Sequence, residues 1–127
     1  MYEDLYKTPD SEEEAFVRLM DIIRILRSPQ GCPWDKEQTH ESLTRCMVEE
    51  AYEVVEAIES SDMSNLKEEL GDVLLQVVMH AQIAGDAGTF SMSDVVNSVS
   101  EKMLRRHPHV FEKKITQNPQ NLSLIHI

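Results

Sequence analysis

Helix breakers are scarce in this sequence, and they fall between stretches of helical periodicity. The chain holds four glycines and five prolines. Pro9, Pro29, Gly31, Pro33, Gly85, Gly88 and Pro108 cut it into segments whose apolar residues recur every three or four positions. That spacing is the signature of amphipathic helix. Pro9-Asp10-Ser11 followed by Glu12, Glu13 and Glu14 predicts a helix start, with a capping side chain and acids that complement the helix dipole. Phe16, Leu19, Met20, Ile23 and Leu26 form its stripe, and Ser28 to Asp35 reads as a loop. A second helix is expected from near Thr39 or Ser42 to about Ser60. A third is capped by Asp62 or Ser64 and runs to the Gly85–Gly88 region. Ser91 and Asp94, a pair resembling a capping box, open a fourth that Pro108 stops. The β-friendly run from Val73 to Met79 lies inside a segment with no turn signal, which argues against a strand. The expected fold class is therefore all-α, with four main helices. Residues 1–111 are read as one domain and 112–127 as a C-terminal tail, frayed, truncated or non-native.

Composition excludes several classes of function. At 127 residues the chain is of one-domain size. Its formal charge of −11 argues against binding a nucleic acid polymer, which calls for a basic stripe, and against docking on an anionic membrane. No apolar run approaches the roughly 18 residues of a membrane helix. The first residues lack the basic and apolar regions of a secretory signal. Cys32 and Cys46 are too few for a disulfide framework, so a reduced, cytoplasmic setting is expected.

Most of the negative charge is concentrated in one place. Glu49, Glu50, Glu53, Glu56, Glu59, Asp62, Glu68, Glu69 and Asp72 are opposed there by Lys67 alone. A solvated face is the ordinary explanation of such a run, but helical position weakens it. At about 100° per residue, Met47, Ala51, Val54 and Ile58 share one arc of the second helix. Glu50 lies beside that arc and Glu53 comes next, while Glu49, Glu56 and Glu59 point further out. In the third helix Val73 to Met79 is apolar on nearly every side except at Gln76, which predicts burial all round. Glu69 and Asp72 share a stripe with Val73, Gln76 and His80 and should face inward at its end. Gly71, between them, suggests a close approach to the backbone. Four inward carboxylates need basic partners, shared protons or divalent cations. An oxygen-only donor set suits Mg²⁺, with Mn²⁺ as a substitute, and Mg²⁺ held by carboxylates commonly takes further ligands from phosphates. Lys102 and Arg106, an i, i+4 pair beside the Val95–Val99–Met103 stripe, are candidates to meet those phosphates. Favourable placement of cations near a helix C-terminus is the alternative, and it suffices for Arg105.

Four blocks then match a known family in order. Gly31-Cys-Pro-Trp-Asp-Lys-Glu-Gln-Thr39, Glu49-Glu-Ala-Tyr-Glu53, Lys67-Glu-Glu-Leu-Gly-Asp72 and Arg105-Arg-His-Pro-His-Val-Phe111 resemble the MazG nucleoside triphosphate pyrophosphohydrolases. The resemblance covers roughly Phe16 to Phe111. It implies an all-α bundle completed by homodimerisation or a higher homo-oligomer. It also implies Mg²⁺-dependent cleavage between the α- and β-phosphates, giving a nucleoside monophosphate and pyrophosphate. Carried over, the metal ligands are Glu50, Glu53, Glu69 and Asp72. Glu49 and Glu68 match the neighbouring acids that support metals or nucleotide contacts, and Lys102 and Arg106 match the phosphate-binding basic segment. Glu50 and Glu53 are the catalytic candidates, Glu53 as the group that orients the attacking water. After Phe111 the sequence departs from the family, which fits either a single domain or the front of a two-domain protein.

Two other classes stay open. A non-catalytic or weakly catalytic helical module that dimerises or senses nucleotide would carry the same acids. A carboxylate-bridged di-iron bundle wants Glu-x-x-His on two helices, and only Glu37-x-x-His40 offers one. Trp34 reads as a loop anchor packed on the bundle in preference to a base-stacking residue, and His107 and His109 as caps of the fourth helix. Cys32 and Cys46 are assigned no catalysis.

Overall fold

The computed structural model describes residues 1–112; residues 113–127, nearly all of the expected tail, lie outside the described residues. Among the described residues six α-helices follow in order: α1 (Glu12–Leu26), α2 (Pro33–Glu37), α3 (Thr44–Glu59), α4 (Met63–Asp86), α5 (Met92–Arg106) and α6 (Pro108–Phe111). Short 3-10 turns occupy Glu3–Tyr6 and Glu41–Leu43, and no strand occurs among the described residues. No helix of the described residues is long and apolar enough to cross a membrane. The chain divides into two compact units, the first Met1–Thr89 and the second beginning at Phe90.

The helix starts follow the capping chemistry of the sequence. The Ser11 hydroxyl accepts from the Glu14 amide at 3.1 Å, and the Asp62 carboxylate from the Asn65 amide at 3.1 Å. Ser91 and Asp94 form a full capping box at the start of α5. The stops are equally specific. At the end of α4, Thr89 donates to the Ala84 carbonyl and Gly88 to that of Gly85, a Schellman motif with Gly88 at φ +71°. The same pattern closes α3, where Asp62 donates to Ala57 and Ser61 to Ile58. There Ser61 holds the left-handed position at φ 56°. Ser60 to Asp62 thus end one helix and cap the next, and α3 folds back along α4 as a helical hairpin.

Ile23 of α1, Leu43, Ala57 of α3, and Val78, Met79, Ala81 and Ala84 of α4 make the buried core of the first unit. It sits toward the C-terminal half of α4, which packs against both α1 and α3.

Several sequence expectations are corrected. The Ser28–Asp35 stretch is not all loop, because Pro33 starts α2 in the first helical position, where its missing amide costs nothing. Pro108 ends α5 and starts α6 for the same reason. The inward arc of α3 is rotated from the expected one. Ala51 is exposed and Ile58 is 55% exposed, whereas Cys46, Met47, Glu50 and Val54 are half-buried and Ala57 is buried. Nor is the Val73–Met79 stretch of α4 buried all round, since Leu74 is 38% exposed. A Cβ on Gly71 would meet nothing within 4 Å, so no close approach explains that glycine. Gly31 is the residue that does need to lack a side chain, since a Cβ there would collide with the Leu26 and Ile25 carbonyls. Trp34 lies on α2 and is 77% exposed, so it is not an anchor packed on the bundle. His107 does cap α5, its Nδ1 lying 2.7 Å from the Met103 carbonyl.

Candidate metal centre

The α3–α4 hairpin carries the acids to one another. One carboxylate oxygen each from Glu50, Glu69 and Asp72 lies within 4.8 Å of the others. An octahedral Mg²⁺ holds oxygens at about 2.0–2.1 Å, so oxygens on opposite sides stand about 4 Å apart. Three hard donors with that spacing, and no sulfur or imidazole among them, fit such an ion. Glu50 and Glu69 are half-buried and Asp72 is exposed, which leaves one side open to a ligand. Among the described residues no other group of three His, Cys, Asp or Glu converges this way.

The electrostatics show the same demand for positive charge. Partial burial raises the Glu69 pKa above the ordinary 4.5, and the charges of Asp72, Glu50 and Glu53 add to the rise, as does a hydrogen bond with Glu50. The Glu53 pKa is raised chiefly by the charge of Glu56, then by desolvation and a hydrogen bond with Glu56, with Glu50 and Glu49 contributing less. Glu53 is thus exposed and turned toward Glu56, outside the set of three oxygens. Glu49 faces outward, 3.9 Å from the Arg45 guanidinium, and Glu68 is exposed. Lys102 and Arg106 belong to the second unit, where both are half-buried on α5 while Arg105 is exposed.

Two polar contacts escaped the sequence analysis. The Arg27 side chain is only 9% exposed and donates to the Asp35 and Gln38 carbonyls and, at 3.2 Å, to the Asp86 carboxylate. It ties α2 and the segment after it to the end of α4. Nothing in the periodicity marks it, because two of its acceptors are backbone carbonyls and the third, the Asp86 carboxylate, lies 59 residues away. Two residues past Gln38, the His40 Nδ1 lies 2.7 Å from the His80 Nδ1, the rings parallel within 3°. His40 therefore faces an imidazole on α4, which gives the di-iron alternative no support. Its one visible trace in the sequence is a polar residue closing the apolar run of α4.

Comparison with known proteins agrees with this geometry. The profile of the MazG nucleotide pyrophosphohydrolase domain matches residues 38–111, more than half of the chain. The chain belongs to the MazG family. An uncharacterized Bacillus subtilis protein, YabN, is 51% identical over 93% of this chain and 25% of its own length. The Thermotoga maritima nucleoside triphosphate pyrophosphohydrolase/pyrophosphatase MazG is 56% identical over 76% of this chain and 38% of that protein. The Escherichia coli K12 nucleoside triphosphate pyrophosphohydrolase is 47% identical over 80% of this chain and 39% of that protein. This MazG domain thus spans between a quarter and two-fifths of these curated relatives. The crystal structure of a MazG-related protein from Thermotoga maritima superposes with a TM-score of 0.68 at 30% identity, covering 86% of this chain and 93% of that one.

Proposed function

We propose that this chain hydrolyses nucleoside triphosphates between the α- and β-phosphates in a Mg²⁺-dependent reaction, within a cytoplasmic setting. The observation that carries the proposal is the convergence of Glu50, Glu69 and Asp72 on one small volume of α3–α4. A bound Mg²⁺ would supply charge neutralisation and polarise the phosphoryl oxygens. The protein's own groups do the rest. Glu50, Glu69 and Asp72 hold the ion. Glu53, one turn on from Glu50 and outside that set, orients a water toward the α-phosphorus. The new bond joins that oxygen to the α-phosphorus, and the bond from the α-phosphorus to the bridging oxygen breaks. The products are a nucleoside monophosphate and pyrophosphate. Lys102 and Arg106 neutralise the β- and γ-phosphates, and Glu49 and Glu68 support the site from its rim.

We also propose that residues 1–111 act as one such domain and that a second copy completes its bundle. Val48, Tyr52 and Val55 lie along α3 at helical spacing and are exposed, as are Leu70 and Leu74 on α4. Apolar stripes on both arms of a hairpin suit a partner of the same kind.

Incubating the purified chain with Mg²⁺ and a panel of ribo- and deoxynucleoside triphosphates in ¹⁸O-labelled water tests the reaction. Expected are equal amounts of monophosphate and pyrophosphate, with the label in the monophosphate. Orthophosphate as first product would overturn it. The position of Glu53 outside the oxygen set gives a second reading some support: a nucleotide-sensing module that binds Mg²⁺ and triphosphate without release of pyrophosphate.

A further inference from the structure

The stripe of α4 that bears Asp72 continues past the acids. Gln76 and His80 follow at successive i+4 steps, so the three residues share one face. At about 1.5 Å per residue, His80 stands about 12 Å from Asp72 along the helix axis. That is roughly the reach of a nucleoside whose phosphate is held at the acids.

On this stretch Gln76 and His80 keep hydrogen-bonding capacity that the contacts among the described residues do not use. The Gln76 Oε1 is buried and has no hydrogen-bond partner among the described residues. Its helix neighbours Val73 and Val77 are apolar, and an apolar residue would fill the position without leaving an acceptor unpaired. The Gln76 side chain is only half-buried, and its terminal torsion is soft, so either amide atom can turn toward a ligand. His80 and His40 are half-buried and use their Nδ1 atoms on each other, at 2.7 Å. One ring must donate and the other accept. At Nε2 the donating ring keeps an acceptor and the accepting ring keeps an N–H donor. Burial and the facing His40 hold the His80 pKa below the usual histidine value, which favours its neutral form. Neutral groups suit an uncharged hydrogen-bonding partner better than a phosphate. The 3-10 turn that follows His40 is stiffened by Thr39 and Ser42, each of whose amides donates to the other's hydroxyl, at 2.9 and 3.1 Å.

We infer that Gln76, His80 and His40 form the nucleoside-reading end of the site, hydrogen-bonding the sugar or base of a nucleotide whose phosphates lie at Glu50, Glu69 and Asp72. The inference rests on the reaction proposed above, and it makes these three residues binding and specificity groups.

The test is calorimetric binding of two Mg²⁺-loaded probes to the full chain: an α,β-imido nucleoside triphosphate and inorganic tripolyphosphate, which has no nucleoside. Gln76→Met, His80→Asn and His40→Asn are expected to weaken the imido nucleotide at least about tenfold, one lost hydrogen bond to a buried group being worth that much. Tripolyphosphate should change by less than about twofold. Gln76→Met removes an unpaired acceptor, so its thermal midpoint should hold or rise while its nucleotide affinity falls, a combination that a structural role would not give. Unchanged nucleotide affinity in Gln76→Met, or equal weakening of both probes in the variants, would overturn the inference. If the wild-type chain releases no pyrophosphate but the selective loss is seen, the reaction falls and the nucleoside subsite stands.

Discussion

Glu69 lies half-buried, with Asp72 near it on its own helix and Glu50 across the hairpin, so that burial first and their like charges next act on its carboxyl. Its pKa is raised, so the fold favours its protonated form. The destabilisation is fully present above the raised value and disappears below the ordinary 4.5. In EDTA the thermal midpoint should therefore rise as pH falls through the raised value toward 4.5. The gain from adding Mg²⁺ should be larger at about pH 7 than at about pH 5, as differential scanning calorimetry would show. Glu69→Gln should flatten both dependences, leaving the ion-free protein at least as stable and the response to Mg²⁺ small. Glu53→Gln tests a different role. Pyrophosphate release is expected to fall by at least about 10²-fold with the helical circular dichroism unchanged, and wild-type turnover would remove Glu53 from the proposed mechanism.

Among the elements, the joint between α3 and α4 and the Arg27 tie make the clearest demands. Ser61 sits at φ 56° with a side chain that this conformation disfavours. Ser61→Gly should raise stability by about 0.5–1 kcal/mol in urea titration. Arg27→Ala removes a nearly buried guanidinium from two carbonyls and a carboxylate, and should cost about 2–4 kcal/mol. The contrast between these sites shows what a sequence can reveal. Ser11, Asp62, Ser91 and Asp94 act within their own turn, so the starts of α1, α4 and α5 were legible. Glu69 and Asp72 were placed together by i, i+3 spacing alone. Arg27 was not legible because its acceptors carry no sequence signature, and His40 meets a partner 40 residues away. The inward arc of α3 was misplaced because apolar residues lie on both sides of Glu50: Met47 and Val54 face the hairpin, while Ala51, Val55 and Ile58 are exposed. Periodicity cannot choose between two apolar stripes when only one of them packs within the chain.

For the molecule as a whole, those outward stripes are the main unsettled surface. Tyr52 on α3 is 64% exposed and Leu74 on α4 38% exposed, on two helices that pack against each other. Replacing both with Glu should convert the proposed dimer to a 14.6 kDa monomer in sedimentation equilibrium, without loss of helix. A wild-type chain that sediments as a monomer would sink the proposed dimer. The shape of the hairpin bears on dynamics as well. Every proposed metal ligand lies between residues 50 and 72, on two arms joined by only three residues. An ion clasped there works as a rivet across a short loop, which costs little chain entropy to close. Amide exchange should accordingly slow first from Glu50 to Asp72 when Mg²⁺ is added, while the opposite tip of α4, near Asp86, keeps its rhythm.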